Sequence, residues 1–365
     1  MKKIVSLSLA CLLTAAMLAG CQSGGNDKSS KASSSTAETS QAVSETVSEA
    51  VSGQPADAAG EKKTFKIGVV QLVEHAALDN AYQGFADSLA QYGKENGIEF
   101  DIDLQNAQND QSNCNTISSK FVNDKVDLIF AIATPAAQSA ANAAKEAQIP
   151  VLFTAVTDPL DAQLVADYDA PGGHVTGSSD LTPVSVQIKL AKELVPELKS
   201  IGVLYASSES NSKVQLEMAQ KAAEELGLEV VPASVSNANE VQSVVQNVLA
   251  GKVQAIYAPT DNTIANAMPT VSSIANEYKI PIITGEEGMV VNGGLATIGI
   301  NYYDLGVKTA DLALDILIDG KKPAELPVAY VEEDSYTYCY NSKTLETLGL
   351  TLGDDFLAKA EDVGK

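Results

Sequence analysis

The sequence predicts an α/β protein: two Rossmann-like lobes with parallel sheets, joined by a three-stranded hinge, with a ligand cleft between the lobes. Three observations lead there. A pattern occurs twice: Asp127-Leu128-Ile129-Phe130-Ala131-Ile132-Ala133-Thr134-Pro135, then an Ala-rich stretch, then Ile149-Pro150-Val151-Leu152-Phe153-Thr154; and Gln254-Ala255-Ile256-Tyr257-Ala258-Pro259-Thr260-Asp261, a helical stretch, then Ile280-Pro281-Ile282-Ile283-Thr284. Each is an apolar run of strand length that breaks into polar residues, a helix, and a second apolar run, which is a parallel strand-helix-strand unit. Ile67-Gly68-Val69 and Ile201-Gly202-Val203 echo one another ahead of the two units. After a non-globular start, about 300 residues remain, too many for one core and comfortable for two. In open parallel sheets ligands lie beyond the carboxyl ends of the strands, where helix N-termini offer unpaired N–H groups. The two breaks are therefore expected to face one cleft.

Residues 1–21 read as an export signal: Lys2 and Lys3, an apolar run over 4–19 that is too short and wrongly flanked to span a membrane, then small residues. Residues 22–63 are rich in Ser, Ala, Thr, Gly and Glu and poor in large apolar side chains. That composition cannot offset its ordering entropy, so a disordered tether is expected, with a reach on the order of 35 Å.

The elements follow in order. Residues 65–71 form a strand, and Leu78, Tyr82, Phe85, Leu89 and Tyr92 mark one face of the next helix. A strand over 98–104 and a helix carrying Ile117 and Phe121 precede the first unit. A short strand falls within 174–180. Thr182 as N-cap with Pro183 at the first helical position begins a helix with Val186, Leu190 and Leu194 inward. The count then restarts: strand 201–205, a helix with Val214, Met218, Ala222 and Leu226 on its buried face ending at Gly227, strand 228–231, helix 241–249, the second unit, and strand 295–300. A helix from Asn301 to Gly320, a strand over 336–340 and a short last helix complete the chain. Crossings near 180–183, 300–303 and 327–331 assign 64–181 with 302–327 to an N-terminal lobe, and 182–301 with 328–365 to a C-terminal one.

With 24 Lys and Arg against 47 Asp and Glu, the net charge of −23 argues against nucleic acid or anionic headgroups as partners. The sequence has two histidines, no Cys/His cluster at zinc spacing, no G-x-x-x-x-G-K-[ST] loop and no G-x-G-x-x-G after a strand, so neither metal nor cofactor is expected. Adjacent Glu286 and Glu287 lack a nucleophile-base-orienter set, which argues against a hydrolase. Cys114 and Cys339 fall in different lobes and are expected to be unpaired thiols.

Leu18-Ala19-Gly20-Cys21 resembles a bacterial lipoprotein box, in which Cys21 becomes the lipid-modified first residue and anchors the chain to the cell membrane. The segments after the tether together resemble the extracytoplasmic solute-binding proteins of ABC importers, in the two-lobed, three-crossover form. More narrowly, Ala133-Thr134-Pro135-Ala136-Ala137-Gln138, Leu152-Phe153-Thr154-Ala155-Val156-Thr157-Asp158-Pro159, Pro259-Thr260-Asp261-Asn262 and Gly285-Glu286-Glu287-Gly288 resemble a branch associated with tryptophan, tyrosine or related aromatic amino acids. The resemblance implies a monomeric receptor that closes on a small solute and delivers it to a membrane permease. A sugar or nucleoside ligand, or a sensory role beside a membrane receptor, remain open alternatives.

An amino-acid zwitterion needs donors for its carboxylate and an acid for its ammonium. Thr134 and Thr154 stand where strands meet helix N-termini, with Ala136 in the first turn after Thr134, so a hydroxyl, N–H groups and a helix dipole can converge on a carboxylate. Thr134 equally reads as an N-cap followed by Pro135. Asp261, Glu286 and Glu287 lie at strand ends of the second lobe and are candidates for the ammonium, or for helix starts. Tyr205, Tyr302, His75 and Phe153 are candidates to flank a side chain. Asp180 meets ligand or fixes the hinge, Ser207 and Asn211 donate hydrogen bonds or cap a helix, and Asp158-Pro159 is a turn.

Overall fold

The computed structural model describes residues 63–365, Pro196 excepted. The expected export signal, Cys21 and all but the last residue of the tether lie outside the described residues.

The first sheet holds β1 (Thr64–Gln71), β2 (Glu99–Asn106), β3 (Leu128–Ile132), β4 (Val151–Val156) and β5 (Val175–Ser179). They run parallel in the order β2-β1-β3-β4-β5. Every residue of β3 and β4 is buried, because helices cover both faces. The covering helices include α1 (Ala76–Asn96), α2 (Gln111–Asn123) and α3 (Thr134–Ala144). The order reverses between β1 and β3, which makes the carboxyl ends of those two strands the switch point where a crevice opens.

The second half repeats the plan. After α4 (Val184–Leu194) come β6 (Ser200–Ala206), α5 (Ser210–Glu225), β7 (Glu229–Val235), α6 (Val241–Val244), β8 (Ala255–Ala258), α7 (Asn262–Asn266), α8 (Met268–Glu277), β9 (Ile282–Thr284), α9 (Glu287–Val291) and β10 (Ala296–Gly299). Then follow α10 (Tyr302–Leu317), β11 (Thr337–Tyr340), α11 (Ser342–Leu348), α12 (Asp354–Leu357) and β12 (Glu361–Asp362). The seven strands lie in the order β12-β11-β10-β9-β8-β6-β7, with β11 antiparallel to β10. Here the reversal falls between β6 and β8.

The core around the first sheet draws on residues 65–175 and 300–328, and the cores on the second sheet draw on 184–298 with Leu352. The later chain thus returns to the first lobe as α10 before adding β11 and β12 to the second. Glycines set how closely α10 lies on α1: a Cβ at Gly84 would drive into the carbonyl oxygen of Tyr303, and one at Gly306 into that of Ala81. At the hinge, Ser178 bridges to Ala329, with Ser179 N–H donating to Ala329 O (2.8 Å) and Ala329 N–H to Gly177 O (2.9 Å).

Several local expectations need correcting. Thr182 is not a cap: Pro183 occupies that position and the Thr182 hydroxyl has no partner. Starting at Val184 rotates α4 so that Val184, Gln187, Ile188 and Ala191 face inward with Leu190 and Leu194, leaving Val186 37% exposed. On α5, Ala222 is buried as expected but Val214, Met218 and Leu226 are only half-buried, and the buried side runs through Asn211, Ser212, Gln215, Ala219, Ala222 and Ala223, because the first turns of that helix direct polar groups to Thr260 and Asp261 at the end of β8. The single helix expected over 241–249 widens to a π-helical turn at Val245–Leu249.

Candidate functional site

The strand ends of the two sheets face each other and the lobes are closed. His75 Nε2 lies 3.1 Å from Asn262 Oδ1, Asn109 Nδ2 donates to Thr263 Oγ1 (3.0 Å), and Gln215 Nε2 donates to Thr157 Oγ1 (3.4 Å). Each pair joins a residue beyond a first-sheet strand to one belonging to the second lobe. Between them lies a cavity lined by His75, Leu78, Ala155, Asp180, Thr260, Asp261, Asn262, Ala265, Glu286, Met289 and Tyr302.

Three carboxyl groups meet there, all buried. Asp180, where the chain leaves β5, accepts from Thr157 Oγ1 (3.2 Å) and Tyr302 Oη (2.7 Å). Burial raises it to about 6. Asp261 caps α7 by accepting from Ile264 N–H (2.8 Å), and also accepts from Ala206 N–H (2.5 Å) and Ser212 Oγ (2.7 Å). Burial, then the nearby charge of Glu209, raises it to about 7. Glu286 caps α9 by accepting from Gly288 N–H and from Met289 N–H (2.9 Å). Burial, then the charges of Glu287 and Asp180, raises it to about 7 despite those donors. No Lys or Arg lies among the described residues lining the cavity. A cavity that holds three acids and no cation suits a ligand that carries its own positive charge.

Of the sequence candidates, the structure brings His75, Asp180, Asp261, Glu286 and Tyr302 into this lining. The helix-cap reading of Asp261 and Glu286 holds, and both capping residues also line the cavity. Thr134 opens α3, but the cap position is Ala133 and the Thr134 hydroxyl is buried without a partner. Thr134 and Ala136 are not in the cavity's lining; Ala137 N–H bonds to Ala133 O, whereas the N–H groups of Thr134 and Ala136 carry no acceptor among the described residues and Pro135 has no N–H to offer. The start of α3 is therefore a group of unspent donors beside β4.

Thr154 is turned away from the cavity: its hydroxyl bonds to Ser178 Oγ (2.9 Å), which in turn meets Thr309 Oγ1 of α10 (2.7 Å). Phe153 is a core residue. Tyr205 is half-buried and outside the lining. Asn211 is not the N-cap of α5, a position held by Glu209. Its Nδ2 donates to Thr260 O (3.1 Å) behind the cavity wall. Ser207 donates to Val235 O (3.1 Å). Glu287 is half-buried and, outside the cavity's lining, borders a second pocket with Asn80, Asn301 and Tyr303 that shares Glu286 and Tyr302 with the cavity. Asp158 makes the expected turn, accepting from Leu160 and Asp161 N–H (both 3.0 Å).

Sequence reasoning missed Thr260, Asn262 and Glu209. Glu209 is 2% exposed and accepts from both the backbone and the side chains of Asn262 and Thr263. Its signal was position: it follows β6 at the second switch point, where a lone buried acid is most often functional. Backbone strain marks the first lobe's wall in the same way. Ala133 (φ 86°) and Ala155 (φ 54°) both take left-handed conformations at the ends of neighbouring strands, costing about 1–3 kcal/mol each, and such outliers cluster at ligand sites.

The likenesses to other proteins agree with this geometry. The chain is 42% identical over 350 residues to a tyrosine-binding protein of Clostridioides difficile (strain R20291), covering 96% of this chain and 93% of that one. A structure from Streptococcus pneumonia in complex with L-Trp matches with a TM-score of 0.77 at 42% identity, over 82% of this chain and 99% of the other. A ligand-free, open substrate-binding protein with adhesive properties from Clostridium difficile matches over the same shares at 44% identity, with a TM-score of only 0.62. At nearly equal identity, the closed lobes described above fit the ligand-bound relative better than the open one. Residues 66–364 match the family of ABC transporter substrate binding proteins. The chain therefore belongs to that family, whose members capture a solute outside the cytoplasm for a membrane permease and are not enzymes.

Proposed function

We propose that this protein binds an aromatic L-α-amino acid, tyrosine or tryptophan, by closing its lobes on it, and that a lipid on Cys21 holds it at the cell membrane beside its permease. The observation that carries the ligand reading is the set of three buried carboxyl groups around one cavity with no cation in its described lining. An α-ammonium offsets that charge. Asp180 is its first partner, because the side chains that donate to Asp180 are two neutral hydroxyls, whereas Asp261 and Glu286 already serve the N–H groups of helix starts. We assign the α-carboxylate to the start of α3, which lies outside the cavity's lining beside the strand that carries Ala155, where the Thr134 hydroxyl and the N–H groups of Thr134 and Ala136 lack partners among the described residues at the positive end of the α3 dipole. Leu78, Met289 and Tyr302 offer apolar surface to the side chain. The tyrosine-binding relative and the L-Trp complex support the aromatic class.

Calorimetry over a panel of amino acids, sugars and nucleosides tests the reading. Binding is expected for tyrosine and tryptophan and is expected to vanish when the α-carboxylate is amidated. Saturable binding of a sugar or nucleoside with none for aromatic amino acids would overturn it. For the anchor, membrane-fraction protein is expected to become soluble on Cys21→Ser.

A further inference from the structure

Glu209 determines more than the shape of the second lobe. Its oxygens accept from Asn262 Nδ2 (2.6 Å), Asn262 N–H (3.3 Å), Thr263 N–H (3.0 Å) and Thr263 Oγ1 (2.8 Å). A carboxylate has no hydrogen to give, so the Asn262 amide must turn its Nδ2 toward Glu209 and leave Oδ1 facing His75 Nε2, 3.1 Å away. Oδ1 in turn only accepts, so Nε2 carries the hydrogen. Burial holds the His75 imidazole below its ordinary range, and the ring is neutral near pH 7 with a single N–H. Nδ1 is left as a bare lone pair. It is buried, meets no donor among the described residues, and belongs to a ring that lines the cavity with Leu78 and Met289. A buried acceptor without a donor is costly, and no side chain or backbone donor among the described residues bonds to it, so a molecule entering the cavity is placed to supply the hydrogen.

We propose that His75 Nδ1 accepts the hydrogen of the ligand's aromatic side chain, a phenol O–H or an indole N–H, and that Glu209 is the positioning residue that presents it through Asn262. This rests on the reading of the cavity as an aromatic amino-acid site. Phenylalanine fills the same volume without a donor and strands Nδ1, and a site built around one hydrogen bond rejects the analogue that lacks it.

The test titrates the full chain with L-tyrosine, L-tryptophan and L-phenylalanine, and follows the histidine ring nitrogens by 15N spectroscopy. The sequence holds only two histidines, so a His174→Gln control assigns both. Tyrosine and tryptophan are expected to bind at least about tenfold more tightly than phenylalanine, the effect of one unpaired buried acceptor. His75 is expected as the Nε2–H tautomer, with its Nδ1 resonance moving on addition of tyrosine and not of phenylalanine. Glu209→Gln frees the Asn262 amide to turn, so both tautomers are expected and the tyrosine-to-phenylalanine ratio falls toward one; a purely structural defect would weaken all three ligands alike. Equal affinity for phenylalanine and tyrosine, or an Nδ1–H tautomer in the unaltered protein, overturns the inference while leaving aromatic binding intact. Failure of all three to bind overturns the underlying reading instead.

Discussion

Replacing Asp180 by asparagine is expected to stabilise the empty protein and weaken ligand binding at once. Asp180 is 4% exposed and its two partners, Thr157 and Tyr302, are hydroxyls that can turn to accept from an amide. Asparagine therefore fits without leaving a stranded donor. The carboxyl titrates at about 6 in the fold because burial disfavours its charged form, against an ordinary 3.8. The folded state thus binds more protons than the unfolded state between pH 4 and 6, so this group's contribution to stability falls through that window and stays low above it. At 1.36 kcal/mol for each tenfold change in acidity, the ionised carboxylate costs about 3 kcal/mol at neutral pH. The neutral amide of Asp180→Asn carries no such cost. Its advantage is expected to be near zero at pH 4 and to reach about 1–3 kcal/mol at pH 7–8, once an imperfect amide hydrogen bond is subtracted. Thermal unfolding across that pH range reads the gain as a Tm rise of about 2–4 °C per kcal/mol. Over the same series, tyrosine affinity is expected to fall by roughly 30-fold or more, the cost of removing a buried charged partner. A variant destabilised equally at pH 4 and pH 8 would refute the claim that the buried charge is a cost. A variant that binds tyrosine as before would refute Asp180 as the ammonium's partner.

Four further outcomes are expected. Thr134→Val keeps the shape and removes a hydroxyl that has no partner, so unliganded stability should hold or rise, whereas ligand affinity drops about tenfold, the worth of one hydrogen bond to a charged group; calorimetry and a melting curve separate the two. Asp180, Asp261 and Glu286 hold protons up to about pH 6–7, and an incoming ammonium favours their ionised forms. Binding should therefore release protons near pH 6–7 and weaken as pH falls below 6, seen by titrating in buffers of different ionisation enthalpy. Gly84→Ala and Gly306→Ala force α1 from α10, since each new methyl meets backbone, and should each cost about 1–3 kcal/mol in denaturant unfolding. A tyrosine analogue without its amine should fail to compact the protein in small-angle scattering, and equal compaction by that analogue counts against the charge-driven closure argued here.

The parts of the site visible in the sequence were those carried by chain direction, and the parts hidden were those carried by backbone irregularity. An apolar run that ends in Thr134-Pro135 or Thr260-Asp261 announces the carboxyl end of a parallel strand, and of these residues Thr260 and Asp261 line the cavity. What such a run does not announce is which side chain of an ending strand turns inward. Along β4 strict alternation would place Thr154 in the cleft, but the register with β5 shifts between Phe153 and Val156 and Ala155 takes φ 54°, so alanine lines the cavity and the threonine hydroxyl turns to Ser178. The same limit applies at Thr134. Ala133, at φ 86°, starts the helix one residue earlier than a Thr-Pro cap implies, which frees the hydroxyl that the cap reading had spent. Glu209 was hidden for another reason: its partners lie 53 and 54 residues away along the chain, and only the pairing of β6 with β8 brings them together.

The buried acids also explain how one cavity can both select a ligand and drive closure. A solute moves a two-state hinge only by the difference in its affinity for the two states. In the closed state Asp180, Asp261 and Glu286 are shut from water with no cation in the described lining, and their raised titration reports how strongly that arrangement disfavours charge. On the proposed reading opening returns them toward solvent, which biases the empty protein toward the open form. A neutral molecule of the right shape leaves the bias in place, because it brings nothing that offsets the carboxylates. On the proposed reading a zwitterion brings its ammonium to these acids and its carboxylate to the unspent donors of α3, and each interaction exists in full only when both lobes touch the guest. The cross-cleft pairs His75–Asn262 and Asn109–Thr263 then form at the rim. They are neutral hydrogen bonds, each worth about 1 kcal/mol, and on the proposed reading they hold a closed lobe pair without being enough to close an empty one over three buried acids.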